Sequence, residues 1–127
     1  FRDLLRIRAS STLFRLRTAN DLRERLHFVN TGPTQEPTVL AAWLDGRGYT
    51  GAAFERLAYF INVDRQAHDL DVAAAVDVGY VLHPLQRAAA ASDARPREAA
   101  RFDRARGRFT IPPRSAVVFV VESENMQ

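Results

Sequence analysis

The sequence predicts a mainly β protein: an antiparallel β-sandwich of about seven or eight short strands preceded by one N-terminal α-helix. Short runs of β-branched and aromatic residues recur along most of the chain, and glycine, proline or aspartate separates them. The apolar periodicity of a helix is convincing only near the N-terminus. With 127 residues, of which 46% are hydrophobic, the chain is expected to form one domain around a sizeable core.

The closing stretch of the sequence indicates two strands around a rigid corner. Phe109 and Ile111 are two positions apart and share one face of a short strand. Pro112 and Pro113 fix φ and remove two backbone donors, so the strand ladder must stop there. Residues 116–121 then form an almost unbroken β-branched and aromatic run, which is typical of a strand covered on both faces. We therefore expect the last strand to lie inside an antiparallel sheet.

A helix is predicted over residues 3–16, and it carries two apolar stripes instead of one. A surface helix normally presents a single stripe to a single core. Two stripes indicate a helix wedged between two bodies, and the alternative is a loosely amphipathic helix with some exposed leucines. One stripe consists of Leu4, Ile7 and Phe14, and the other of Leu5, Ala9, Leu13 and Leu16.

Short strands and turns are predicted for the middle of the chain. A turn at 64–66 separates two apolar segments, which predicts a β-hairpin of 57–63 with 68–72. The alanine- and arginine-rich segment 88–100 contains Pro96, which favours a surface excursion. The other predicted segments are a short helical turn at 18–25 and strands at 26–30, 39–44 and 78–82.

The composition excludes several classes of function. The chain has no cysteine, so it has neither a disulfide framework nor a thiolate site. No apolar run approaches the roughly 20 residues of a membrane-spanning helix, so no membrane partner is expected. The net charge is +3, but the arginines are spread among acidic residues and are not clustered with aromatics. We therefore expect no nucleic-acid partner.

The polar residues do not form a recognisable catalytic or metal-binding motif. His27, His68 and His83 each lack a second ligand at metal spacing, so a structural role is favoured and no metal site is predicted. Asp69 and Asp71 share a strand face and could bind calcium or act as an acid/base pair, although the solvated face of an edge strand is the favoured interpretation. We predict no catalytic residue and no cofactor.

Six stretches of the chain, in order, resemble one region of a known enzyme family. They are LLRIRASSTLFRL at 4–16, TAND at 18–21, NTGP at 30–33, AYFIN at 58–62, LHPLQ at 82–86 and FTIPPRSAVVFV at 109–120. Together they resemble the C-terminal region of pullulanase-type starch-debranching enzymes, which include plant limit dextrinases and belong to the α-amylase superfamily. Each stretch alone is weak, whereas six in the same order are specific.

The resemblance implies a place in a larger enzyme. It implies that 1–17 is the last helix of a catalytic (β/α)8 barrel and that 18–127 is the β-sandwich domain that follows. The family hydrolyses α-1,6 branch linkages in pullulan, starch and limit dextrins by a retaining mechanism with two carboxyl groups. Those groups lie on upstream barrel strands, and no residue of this chain matches them. The leading hypothesis is a non-catalytic accessory domain whose partner is the upstream catalytic barrel of the same polypeptide.

Two alternatives remain open. The first is a carbohydrate-binding module for α-glucans, with Trp43 and Tyr49 as the candidate substrate-binding residues. Tyr49 lies in a glycine-rich loop, whereas the apolar neighbours of Trp43 favour a core position over stacking on a sugar. The second is a free-standing interaction domain that self-associates through the N-terminal helix.

Overall fold

The computed structural model describes residues 2–16, 18–29, 38–47, 49, 51–88 and 95–122. These residues form eight strands and several short helices, and none of those helices has the length and apolar character to cross a membrane. The mainly β class is therefore confirmed. The strands are β1 (Leu26–Val29), β2 (Val39–Asp45), β3 (Phe54–Asn62), β4 (His68–Asp71), β5 (Val81–Leu82), β6 (Arg101–Asp103), β7 (Arg108–Ile111) and β8 (Ser115–Glu122), and the helices are α1 (Arg2–Ser10), α2 (Ala19–Arg25), α3 (Pro84–Arg87) and α4 (Arg95–Ala99).

The strands form two antiparallel sheets, as the sequence predicts. The larger sheet has the order β1-β2-β3-β8-β5 and the smaller has the order β4-β7-β6. The predicted hairpin is wrong, because β3 pairs with β2 and β8, whereas β4 pairs with β7 in the other sheet. The side chain of the buried Asn62, the last residue of β3, fixes the turn that follows this strand. Its Nδ2 donates to the carbonyls of Gln66, Ile111 and Pro112 at 2.9, 3.3 and 3.1 Å.

The last strand is covered on both faces, which confirms the prediction from its apolar run. Val117 and Phe119 point into the core between the two sheets. Val118 and Val120 point the other way, into a second core that is shared with α1. Complete burial of a side chain of this size stabilises a fold by about 1.5–3 kcal/mol. Because β8 contributes to both cores, it joins the smaller sheet and the N-terminal helix into one structure.

The outer edge of β8 is only partly paired with a strand. β5 pairs with it over two residues, and the buried amide of Gln86 then replaces a strand. The Gln86 Nε2 donates to the carbonyl of Ala116 at 2.9 Å, and its Oε1 accepts from the N–H of Val118 at 2.8 Å. Backbone groups that would otherwise be buried without partners are thereby satisfied.

The N-terminal helix is shorter than predicted. α1 ends at Ser10, and Ser11 is extended with φ −151° and ψ 139°. The hydroxyl of Ser11 donates to the carbonyl of Ala52 and accepts from the N–H of Leu13, so it caps a separate 3-10 turn, Thr12–Arg15. Serine can bond to nearby backbone in this way and thereby compete with the helix. A continuous helix over 3–16 is therefore wrong.

The break at Ser11 changes which side chains of the two predicted stripes are buried. Ile7 and Leu13, which were assigned to different stripes, are both buried in the core shared with β8. Leu5 is 51% exposed and Ala9 is also exposed, so one side of α1 is bare. The second stripe therefore exists on α1 itself, but it does not continue beyond Ser10.

A buried histidine links α1 to the sandwich. The Nδ1 of His83 accepts from the N–H of Leu85 at 3.1 Å, so the proton of the neutral ring lies on Nε2. The Nε2 then donates to the Ser10 hydroxyl at 3.0 Å, and that hydroxyl donates to the carbonyl of Ile7 at 2.6 Å. Burial, with a smaller effect from the charge of Arg87, lowers the pKa of His83 to about 4.

We expect the stability of the chain to fall between pH 6.5 and about pH 4. The unfolded chain binds the His83 proton near its ordinary pKa of 6.5 and the folded chain only near 4. This contribution to stability is therefore complete above pH 6.5. It is lost as the pH falls towards 4, and the total loss is about 3 kcal/mol. Urea unfolding at several pH values measures this slope.

The substitution His83→Asn provides the control for this prediction. Asparagine keeps an acceptor for the N–H of Leu85 but has no proton to gain, so the slope above pH 4 should become flatter. Hydrogen bonds from His68 and Arg108 lower the pKa values of Asp64 and Asp71, respectively, below 3.8. Protonation of these two carboxylates therefore reduces the stability of the chain only at lower pH. An unchanged slope in the variant would contradict the assignment to His83.

Candidate functional site

An apolar groove lies beside the N-terminal helix, on the face of the larger sheet that is turned away from the smaller sheet. Its volume is about 470 Å³. Ile7 and Arg8 of α1 border the groove on one side, and Leu22 of α2 borders it on another. Tyr59 of β3 and Val118 of β8 form part of its floor. The groove is therefore built from the N-terminal segment, the central strands and the last strand.

The floor of the groove continues into a bare region of the same sheet face. Leu40 lies directly opposite Ile61, and Phe28 lies opposite Ala42. Leu40, Ala42 and Phe28 therefore share one face with Ile61. Phe28, Leu40 and Ile61 are 56%, 48% and 40% exposed. We call these three residues the open face, and contiguous apolar surface of this kind commonly marks an interaction site.

The positive charge of the chain is concentrated in its N-terminal segment. Residues 1–25 contain seven arginines and three acidic residues, a net charge of +4, whereas residues 26–127 contain eleven arginines and twelve acidic residues, a net charge of −1. Arg8 lines the groove, and Arg6 and Arg23 are exposed on α1 and α2. Within the described part of the chain, none of these three arginines has an ion-pair partner.

The candidate residue Trp43 is partly buried and contacted from both neighbouring strands. The His27 ring of β1 stacks on it with centroids 4.2 Å apart and planes 22° apart. The Arg56 guanidinium of β3 lies 4.8 Å from the ring centroid. Trp43 also packs against the core between the sheets. A sugar could stack on this ring only after one of these side chains had moved.

The candidate residue Tyr49 lies on the opposite side of the larger sheet. It packs against the core shared with α1, and its hydroxyl donates to the Oδ2 of Asp21 at 3.3 Å. The guanidinium of Arg25 lies 4.8 Å from the Tyr49 ring centroid, and its Nη1 donates to the carbonyls of Asp45 and Arg47. The structure therefore does not bring Trp43 and Tyr49 together into one aromatic platform.

The acidic residues that the sequence singled out are engaged in pairs across two strands. The carboxylate of Asp71 accepts from the Nε of Arg108 at 2.7 Å, and the hydrogen bond from Arg108 lowers the pKa of Asp71. Asp69 accepts from the hydroxyl of Thr110 at 2.6 Å. Over the residues that the structure describes, no group of three or more His, Cys, Asp or Glu side chains could hold a metal ion.

Sequence reasoning missed the groove and the open face. Alternation along β2 and β3 indicates two apolar faces but does not show how far a helix covers one of them. The stop at Ser11 leaves α1 over only one end of that face, so Leu40 and Ile61 remain exposed. The strong charge of residues 1–25 was the available signal, because it separates the N-terminal segment from the rest of the chain.

Residues 1–122 match the family of pullulanase-type α-1,6-glucosidases, C-terminal region. Pullulanase 1, chloroplastic, of Arabidopsis thaliana is 36% identical over 132 residues, which cover 98% of this chain and 13% of that protein. The chain thus spans about an eighth of the length of this relative.

Solved structures show the same fold. A maltotriose complex of PulA from Klebsiella pneumoniae matches with a TM-score of 0.78 and 23% identity, over 98% of this chain and 13% of that one. A maltotriose complex of a pullulanase mutant from Paenibacillus barengoltzii matches with a TM-score of 0.68 and 22% identity, over 96% of this chain and 16% of that one. The family match over nearly the whole chain shows that this chain belongs to the pullulanase-type α-1,6-glucosidases, as their C-terminal region.

Proposed function

We propose that this chain is a non-catalytic accessory domain that packs on the catalytic barrel of the same polypeptide. The parent enzyme would hydrolyse α-1,6-glucosidic branch linkages in pullulan, starch and limit dextrins. The observation that carries this proposal is the two-sided character of α1. Ile7 is buried against the sandwich, whereas Leu5 and Ala9 are exposed on the other side of the same helix.

The share of the relatives that the chain covers supports a structural role. The chain corresponds to 13% of Arabidopsis pullulanase 1, so most of that protein lies outside the matched region. A retaining glycosidase needs two carboxyl groups about 5 Å apart across the bond that it cleaves. Asp69 and Asp71 are bound to Thr110 and Arg108 on the neighbouring strand instead. We propose that the segment 1–17, of which α1 is the helical part, belongs to the barrel as its last helix, and that 18–127 forms the sandwich domain.

Charge argues against self-association through the helix. Two copies that met through α1 would bring together two segments with a net charge of +4 each. Like charges at a contact oppose association, most strongly at low salt. An upstream domain with an apolar, acidic surface would meet no such repulsion, so it is the better partner for the bare side of α1.

The substitution Leu5→Asp should have different effects in this chain alone and in a longer polypeptide that also contains the upstream catalytic domain. In the chain alone Leu5 is 51% exposed, so the change should alter the free energy of unfolding by only about 0.5 kcal/mol. In the longer polypeptide the same change would bury a charge without a partner and should cost about 2 kcal/mol or more. Scanning calorimetry of both proteins measures the two effects.

The substitution Val76→Asp is the matched control. Val76 is 43% exposed and lies against Gly107, away from α1, so the change should have a small effect in both proteins. If Leu5→Asp has the same small effect in the longer polypeptide as in the chain alone, packing through α1 is contradicted.

Native electrophoresis with pullulan in the gel tests the binding alternative. We expect unchanged mobility, because Trp43 and Tyr49 lie on opposite sides of the larger sheet and each ring is already contacted by neighbouring side chains. Retardation that Tyr49→Ala or Trp43→Ala abolishes would instead establish a carbohydrate-binding module. The same samples should release no reducing ends from pullulan.

A further inference from the structure

We propose that the open face and the adjoining groove receive one amphipathic helix of the upstream domain, with an apolar stripe flanked by carboxylates. This inference rests on the proposed function, because it names the surface and the partner chemistry for the same packing. It adds a second contact that is distinct from the bare side of α1. The helix would lie on the larger sheet beside α1 and cover the region that α1 leaves exposed.

The dimensions of the open face fit a helix. Phe28, Leu40 and Ile61 lie on the adjacent strands β1, β2 and β3 and point to the same side. Neighbouring strands are about 4.8 Å apart, so the three strands span about 10 Å. An α-helix with its side chains is about 10–12 Å across. One helix therefore covers this width, with α1 as its neighbour on the same sheet face.

The chemistry of the surface selects an apolar stripe for the centre of the contact. The three side chains of the open face are hydrocarbon, and the groove beside them is lined mainly by apolar residues, including Leu22, Tyr59 and Val118. A bound glucan would need several hydrogen-bonding groups in such a site, and this lining supplies few of them. Aliphatic and aromatic side chains on a helix would gain most from burial here.

The charged side chains around the surface indicate which residues should flank the apolar stripe of the helix. Arg8 lines the groove, and Arg23 is exposed on α2, which borders it. These arginines have no ion-pair partner within the described residues, so they remain available to carboxylates of another surface. A second copy of this chain would offer the same surplus of arginines and is therefore the poorer occupant.

Hydroxyl-radical footprinting of the chain alone and of the longer polypeptide tests the proposal. In the longer polypeptide, oxidation of Phe28, Leu40 and Ile61 should fall at least about threefold, since burial at an interface removes most of a side chain from water. Val76, with a similar exposed fraction on another surface, should oxidise equally in both proteins. Equal oxidation of the three open-face residues in both proteins would overturn the inference.

Leu5 distinguishes this inference from the proposed function. Protection of Leu5 without protection of the open face would refute the helix on the sheet but leave packing through α1 intact. If neither Leu5 nor the open face is protected, packing through α1 and the helix on the sheet are both refuted. Protection of the open face in the chain alone that increases with concentration would show a second copy as the occupant and overturn the inference.

A charge-reversal variant tests the acidic flanks. Arg8→Glu with Arg23→Glu should reduce the protection of Phe28 and Ile61 in the longer polypeptide, because like charges would then face each other. Arg65→Glu, on an exposed turn between β3 and β4, is the control and should leave the protection unchanged. Equal protection in the double variant would contradict a partner with carboxylates at this contact.

Discussion

The burial of β8 on both faces is the constraint on which the rest of the structure depends. Val117 and Phe119 complete the core between the two sheets, and Val118 and Val120 complete the core beneath α1. The strand lies between β3 and β5, so its backbone is also paired on both sides, and the amide of Gln86 finishes the outer edge. A change in the register of β8 would therefore disturb both cores at once.

The N-terminal helix packs against this strand on one side only. Ile7 packs into the core beneath α1, and the hydrogen bonds from His83 to Ser10 and from Ser10 to Ile7 fix the end of the helix. The other side of α1 and the open face of the sheet remain exposed. Both bare surfaces lie on the same side of the larger sheet as α1, which is the side on which we place the upstream domain. This arrangement supports the proposed structural role.

The sequence predicted the elements that depend on local pattern and missed those that depend on distant contacts. The strands around Pro112 and Pro113 and the two-sided burial of β8 follow from period, φ restriction and composition. The β3–β4 hairpin was wrong because the side chain of Asn62 bonds to Ile111 and Pro112, which are about fifty positions away. No short window of sequence contains that information.

The same distinction applies to the candidate site. The apolar neighbours of Trp43 favoured a core position, whereas the stacking of His27 and the position of Arg56 depend on the pairing of three strands. The predicted second stripe holds for Leu5 and Ala9, which are exposed on α1. It does not continue beyond Ser10, because the Ser11 hydroxyl redirects the chain. The open face could not be predicted, because its exposure follows from the length of α1.

Amide hydrogen exchange of α1 and β8 tests the central claim most directly. In the chain alone, β8 amides should exchange only through global unfolding, whereas amides in the middle of α1 should exchange through a local opening of lower free energy. In the longer polypeptide, exchange of α1 should slow towards that of β8, because both sides of the helix would then be packed. Equal protection of α1 and β8 in the chain alone, unchanged in the longer polypeptide, would contradict the account.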